Sequence, residues 1–150
     1  MRTIANILWF LLGGWALGLA WYLSAIVMAI SIIGIPWSRA CWEIGTTSLM
    51  PFGREVVSYT ELTGRPGGAM GIARFFANLL WFPFGAVLAV GHVLHGCVMF
   101  CTIICIPIAI QDFKLAEISL FPVGKRVVSK ELAGAARVAN AQAHLSRFRR

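Results

Sequence analysis

Two long stretches of this chain carry no charge at all. None lies between Arg2 and Arg39, a run of 36 residues, nor between Arg74 and Asp112, a run of 37 with His92 and His95 neutral. Apolar runs longer than about 18 residues read as membrane segments, because a helix satisfies its own backbone hydrogen bonds and lipid accepts its side chains. The first run is not a cleavable signal. It continues through Ile35, beyond the roughly 7–15 apolar residues of a signal peptide, and a second run like it follows later.

Length then bears on the path. As one straight helix, 36 residues reach about 54 Å against a hydrocarbon core of about 30 Å. Fitting that inside the core needs a tilt near 55°, outside the usual range of about 0–40°. The middle of run one holds Trp21, Tyr22 and Ser24; the middle of run two holds Gly91, His92, His95 and Gly96. Amphipathic rings and glycines suit a turn at the membrane–water boundary. The pattern therefore predicts that each run folds back there, giving two crossings per run.

After each run comes Ile-Pro, then a short amphipathic stretch, over 37–53 and 108–124. Pro36 and Pro107 suit the first turn of a new helix, and Pro51, Gly53, Pro122 and Gly124 punctuate its end. Beyond Ser129 an Ala-rich stretch to about Leu145 reads as a polar helix, closed by Arg147, Arg149 and Arg150.

The chain is also written twice. Asn6-Ile7-Leu8-Trp9-Phe10-Leu11-Leu12-Gly13 returns as Asn78-Leu79-Leu80-Trp81-Phe82-Pro83-Phe84-Gly85, an offset of 72. Ile33-Gly34-Ile35-Pro36 returns as Ile104-Cys105-Ile106-Pro107, and Ser48 through Ser58 returns as Ser119 through Ser129, both with one residue dropped. The expected organisation is a first repeat over 1–62, a linker over 63–74, a second repeat over 75–132 and a basic tail over 133–150. The expected fold class is an all-α integral membrane protein: two tandem, parallel helical hairpins making about four transmembrane crossings. Short interfacial helices and a basic cytoplasmic C-terminal helix complete it.

Composition agrees with the membrane setting. Apolar side chains make up 59% of the chain and charged ones 13%, too little charge to cover a soluble domain. The net charge is +7, and the hairpin arrangement puts all 13 Lys and Arg on the cytoplasmic side, with both termini there. Such an excess fits anionic lipid headgroups better than nucleic acid; Arg54, Lys125 and Arg126, beside the Pro-x-Gly turns, are the expected headgroup contacts.

The repeated motifs Asn-x-Leu-Trp-Phe-x-x-Gly, Ile-Ile-Gly-Ile-Pro and Leu-x-Pro-x-Gly-Arg-x-Val-Val resemble the YccF family of small bacterial inner-membrane proteins, built from two tandem inner-membrane component domains. The resemblance covers roughly residues 1–62 and 75–143. It departs at Cys105, where the domain pattern has Gly. It implies an inner-membrane address and brings no catalytic residues with it.

Candidate chemistry is sparse. His92, His95, Cys97, Cys101 and Cys105 offer sulfur and imidazole within a few helical turns, a weak candidate set for a soft metal. At equivalent positions copy one carries Ala20, Leu23, Ala25, Ala29 and Gly34, so close packing of small residues is the favoured reading, and no cofactor is expected. No acid lies inside either run, which counts against a proton-coupled path. Ser24, Ser31 and Thr102, with Gly13, Gly14 and Gly18, are candidates for a pore lining or for helix packing, the latter favoured. No nucleotide loop, triad or carboxylate pair appears. The expectation is a non-enzymatic, homo-oligomeric membrane assembly that conducts an ion or small solute between subunits. The alternative is an accessory or scaffolding subunit of another membrane protein.

Overall fold

The computed structural model describes residues 2–65 and 68–148. Pro66 and Gly67 of the expected linker, and Arg149 and Arg150 of the basic end, lie outside the described residues. Each apolar run forms one long helical rod. The first comprises α1 (Arg2–Trp9), a π-turn (Phe10–Gly14) and α2 (Trp15–Ile30); the second is α5 (Gly68–Phe100), which absorbs Pro83 without a break. Both are long and apolar enough to cross a membrane. Two differences from the sequence reading follow. Neither rod turns near 21–24 or 91–96; the chain reverses at 31–34 and 101–105 instead. And α5 is already under way at Gly68, inside the stretch expected to be linker.

The physical reason for the missing midpoint turns is that their polar rings are interior. Trp21 and His92 are fully buried and hydrogen-bonded to one another, so neither needs the headgroup region. Each rod then packs against a short return helix, α3 (Ile35–Leu49) or α6 (Ile106–Leu120), with its proline in the first turn, where the missing N–H has no intrahelical partner to lose.

The two halves repeat the same joints. Asn6 donates to Phe52 O at 3.1 Å and accepts from Phe52 N at 3.0 Å; Asn78 does the same with Val123, at 3.1 and 2.9 Å. Trp9 Nε1–H donates to Ser48 O at 2.6 Å and Trp81 Nε1–H to Ser119 O at 2.8 Å. Replacing Asn6 or Asn78 by Ala removes two hydrogen bonds that tie a rod to the end of its return helix. Each variant is expected to lose about 1–3 kcal/mol, equally in the two halves, in a detergent unfolding titration.

An all-α fold was expected, and here the structure differs again. Arg54–Ser58 (β1) and Lys125–Ser129 (β2) pair as an antiparallel ribbon, with Val56 opposite its own repeat-equivalent Val127. Consecutive β-branched valines favour the pleated backbone, and neither segment has a partner until the other half arrives. The ribbon lies on a local two-fold axis between the halves. The short helix α4 (Tyr59–Thr63) follows β1, and α7 (Lys130–Phe148) follows β2 and packs on both strands. Arg137 of α7 reaches Glu55 and Glu61, which raise its affinity for its proton. Glu131 is held below the ordinary carboxylate range by its own backbone N–H and by Arg2. Its contribution to stability is therefore present above the ordinary carboxylate value and fades as pH falls through the lowered one.

The same axis makes the rods antiparallel. Leu12 meets His95, while at the other end Met28 lies beside Trp81 and Trp37 donates to Ala77 O at 3.1 Å. The parallel arrangement of hairpins expected from the sequence is thereby replaced by an opposed one, in keeping with the antiparallel pairing of equivalent strands across the axis.

Candidate functional site

The repeat is not perfect, and its flaw marks the site. Trp9 and Gly14 stand five positions apart, whereas Trp81 and Gly85 stand four apart, yet each glycine lies under its own indole. A Cβ on Gly14 would come within 2.0 Å of Trp9 Nε1, and one on Gly85 within 2.5 Å of Trp81 Nε1. Copy one therefore holds one extra residue, and the π-turn at Phe10–Gly14 accommodates it; π-turns of this kind concentrate at functional sites. Gly13 takes φ +127°, open to glycine only, and its ring neighbour is His95. Beyond the insertion the offset between copies is 71, so the copy-one equivalents of His92, His95 and Asp112 are Trp21, Ser24 and Cys41, not the positions one residue earlier.

At this flaw three ionisable groups of copy two converge. Asp112, from α6, is fully buried. Its Oδ1 lies 3.3 Å from His92 Nδ1 and its Oδ2 lies 2.7 Å from His95 Nδ1. Trp21 Nε1–H donates to His92 Nε2 at 3.0 Å, and His95 Nε2 lies 2.8 Å from Leu12 O, inside the π-turn. Trp9 sets its edge against the His95 ring at 5.9 Å. The cluster thus joins the π-turn and α2 of the first half to α5 and α6 of the second.

Hydrogen-bond logic then assigns the protons. Since Trp21 can only donate, His92 Nε2 accepts, and His92 is neutral with its proton on Nδ1, donated to Asp112 Oδ1. Since Leu12 O can only accept, His95 Nε2 carries a proton. One further proton lies between His95 Nδ1 and Asp112 Oδ2. Held by either atom, it leaves the cluster with zero net charge, the condition under which burial in an apolar setting is tolerable.

Sequence reading missed Asp112 because it stands just beyond the uncharged run, 20 residues from His92. The available signal was its helical position: one turn past Pro107 and Ile108, on the face that packs against α5. The weak candidate metal set is dispersed. The rod ends at Phe100, so Cys101 falls in the turn and Cys105 in a short 3₁₀ segment (Ile103–Cys105). Cys97 and Cys101 are exposed, and both histidines are engaged with Asp112. Among the described residues, no three His, Cys, Asp or Glu side chains are grouped to hold a metal.

The hydroxyls singled out for a pore bond locally. Ser24 donates to Ala20 O, Ser31 to Met28 O and Thr102 to Met99 O. Gly18 lies against Leu49, as a packing glycine does. Among the expected headgroup contacts, Arg126 is paired with Glu43 at 2.6 Å, while Arg54 and Lys125 line one recess together with Lys114 and Lys130.

A model of the inner membrane component domain, YccF, matches residues 4–54 and again residues 76–125. The chain belongs to the YccF family. It is 43% identical to Inner membrane protein YccF of Escherichia coli (strain K12) over 146 residues, 95% of this chain and 97% of that protein. The same figures hold for Inner membrane protein YccF of Shigella flexneri. No solved structure matches. The first YccF match contains the π-turn, Trp21, Ser24 and Cys41; the second contains His92, His95 and Asp112. This is an inner-membrane protein, and its one buried carboxylate among the described residues sits where its two YccF domains meet.

Proposed function

We propose that this chain is a non-enzymatic inner-membrane protein whose working element is the His92–Asp112–His95 cluster, a latch between its two halves that is closed by a single proton. One observation carries the reading. The same domain is built twice, and the copy with Trp21, Ser24 and Cys41 folds without any ionised group at this place, so the fold does not require one. Polar clusters inside apolar surroundings are costly and persist where they work.

The chemistry makes the latch selective. With its shared proton, every hydrogen bond of the cluster is satisfied. Remove that proton, and the His95 Nδ1 lone pair faces an Asp112 oxygen lone pair. Add a second, and N–H faces O–H, with a net positive charge in an apolar setting. Either change breaks the same contact, the one joining α5 to α6 beside the π-turn. The elements packed around it bring few other charges: Arg2 is paired with Glu131, Glu43 of α3 with Arg39 and Arg126, and Lys114 and Glu117 of α6 line the recess beside the ribbon.

The indoles of Trp21 and Trp9 touch the two histidines, so intrinsic emission reports on the latch in lipid nanodiscs. The emission of the wild type is expected to change with pH, as the shared proton is removed or a second one is added. Asp112→Asn is expected to fold, its amide oxygen accepting from His92 Nδ1–H and its amide N–H donating to His95 Nδ1; with no shared proton to lose, its emission is expected to stay flat as pH is raised, whereas acid still breaks the contact by protonating His95 Nδ1. A flat wild type, or an Asn variant that titrates like it, overturns the reading.

A further inference from the structure

Which way the rods lie in the membrane follows from where the charges are. The molecule is layered. The rods form one side; α3 and α6 pack on them; the ribbon packs on α3 and lines a recess with α6; α7 packs on the ribbon. The rods contribute charge only at their starts, Arg2 and Arg74, and both are drawn to the ribbon. Arg2 lies over Gly53 and bonds Glu131 at one end, and Arg74 lies over Gly124 and the Tyr59 ring at the other. Because the rods are antiparallel, these two ends point opposite ways along the rod axis.

If the rods stood upright in the bilayer, Arg2 and Arg74 would sit toward opposite surfaces. The five-residue ribbon between them, about 17 Å long, would then run through the hydrocarbon. It would take Glu55, Arg126 and Arg137 of α7 to mid-depth, where lipid opposes every charge. The 26 residues of α5 beyond Arg74 would also span about 39 Å and need a tilt near 40°, the upper end of the usual range, to fit a core of about 30 Å. Laid along the membrane plane, the same molecule meets none of these difficulties. One helix layer about 10 Å thick fits within half of the hydrocarbon core, the return helices reach the headgroup boundary, and all ribbon charges face water.

We propose that the rods lie in the plane of the bilayer, sunk into the acyl chains of the cytoplasmic leaflet, and that the chain does not cross the membrane. The occupant of the apolar face is that leaflet's lipid. Leu11, Trp15, Leu19, Ile26 and Val87 present the face, each at least half exposed. The cytoplasmic side is chosen by the basic excess of +7 and by the anionic headgroups there, which Arg54, Lys114, Lys125 and Lys130 meet from their shared recess. This inference is independent of the proton latch.

Two measurements on the full chain test it, with Cys97, Cys101 and Cys105 changed to Ala and the buried Cys41 kept. Nitroxides placed through Ile7→Cys, Leu19→Cys and Ile30→Cys report depth against lipid-soluble and water-soluble relaxers; equal depths for all three are expected. A Leu19 label deeper than both others means an upright rod and overturns the proposal. In intact cells, an impermeant maleimide is expected to label neither Ile33→Cys nor Ile103→Cys, at the two turns. Labelling of either from the periplasm overturns it as well.

Discussion

Asp112→Ala is expected to cost about 3–5 kcal/mol of stability, the largest loss of any single replacement of an ionisable residue in this chain. The side chain is fully buried and is the partner of both histidines. Without it, His92 keeps an Nδ1 proton with no acceptor, because Trp21 continues to donate to Nε2 and holds that tautomer. His95 loses its tie to α6 and retains only Leu12 O. Unfolding in detergent, followed by helical circular dichroism at neutral pH, measures the loss. Asp112→Asn, which reproduces both bonds, is expected to stay within about 1 kcal/mol of wild type, a neutral-bond exchange with no orphaned donor. Equal destabilisation by the two substitutions would mean that the carboxylate's charge, rather than its hydrogen bonds, holds the junction.

Trp9→Ala and Trp81→Ala are each expected to cost about 3–5 kcal/mol, the range for emptying a buried aromatic site. Both rings are almost wholly enclosed, at 0% and 2% exposure, and both bridge a rod to the last turn of its return helix through the indole N–H. A bare glycine backs each ring, so that wall offers no side chain to fill the space. The carbonyls of Ser48 and Ser119 lose their indole donors as well. Trp→Phe at either position separates the two contributions, keeping most of the packing and removing only the hydrogen bond. A loss below about 1 kcal/mol for Trp→Ala would show that the rods hold to their return helices by other contacts.

Much of this organisation could be read from residue order. Asn6 and Asn78, Trp9 and Trp81, and the Pro-x-Gly turns were visible as a repeat, and they make matching joints because identical local chemistry finds identical partners. What misled was the assumption that polar rings in an apolar run seek water. Trp21 and His92 satisfy each other instead, so the rods run straight through the positions where turns were expected. The offset between copies shifts by one residue at Gly13, because the π-turn takes up an insertion at a kink without ending the rod, and residue order alone does not show where.

Residue order alone determined the membrane setting, the duplication and the return helices, because these depend on hydrophobicity and on local backbone preference. Tertiary structure alone decided that the rods oppose one another, that Val56 pairs with Val127, and that Asp112 meets two histidines across 17 and 20 residues of chain. The physical reason is the same in each case. A strand edge, a buried carboxylate and a lone-pair nitrogen are each incomplete by themselves, and only the packing of one half on the other brings the group that completes them.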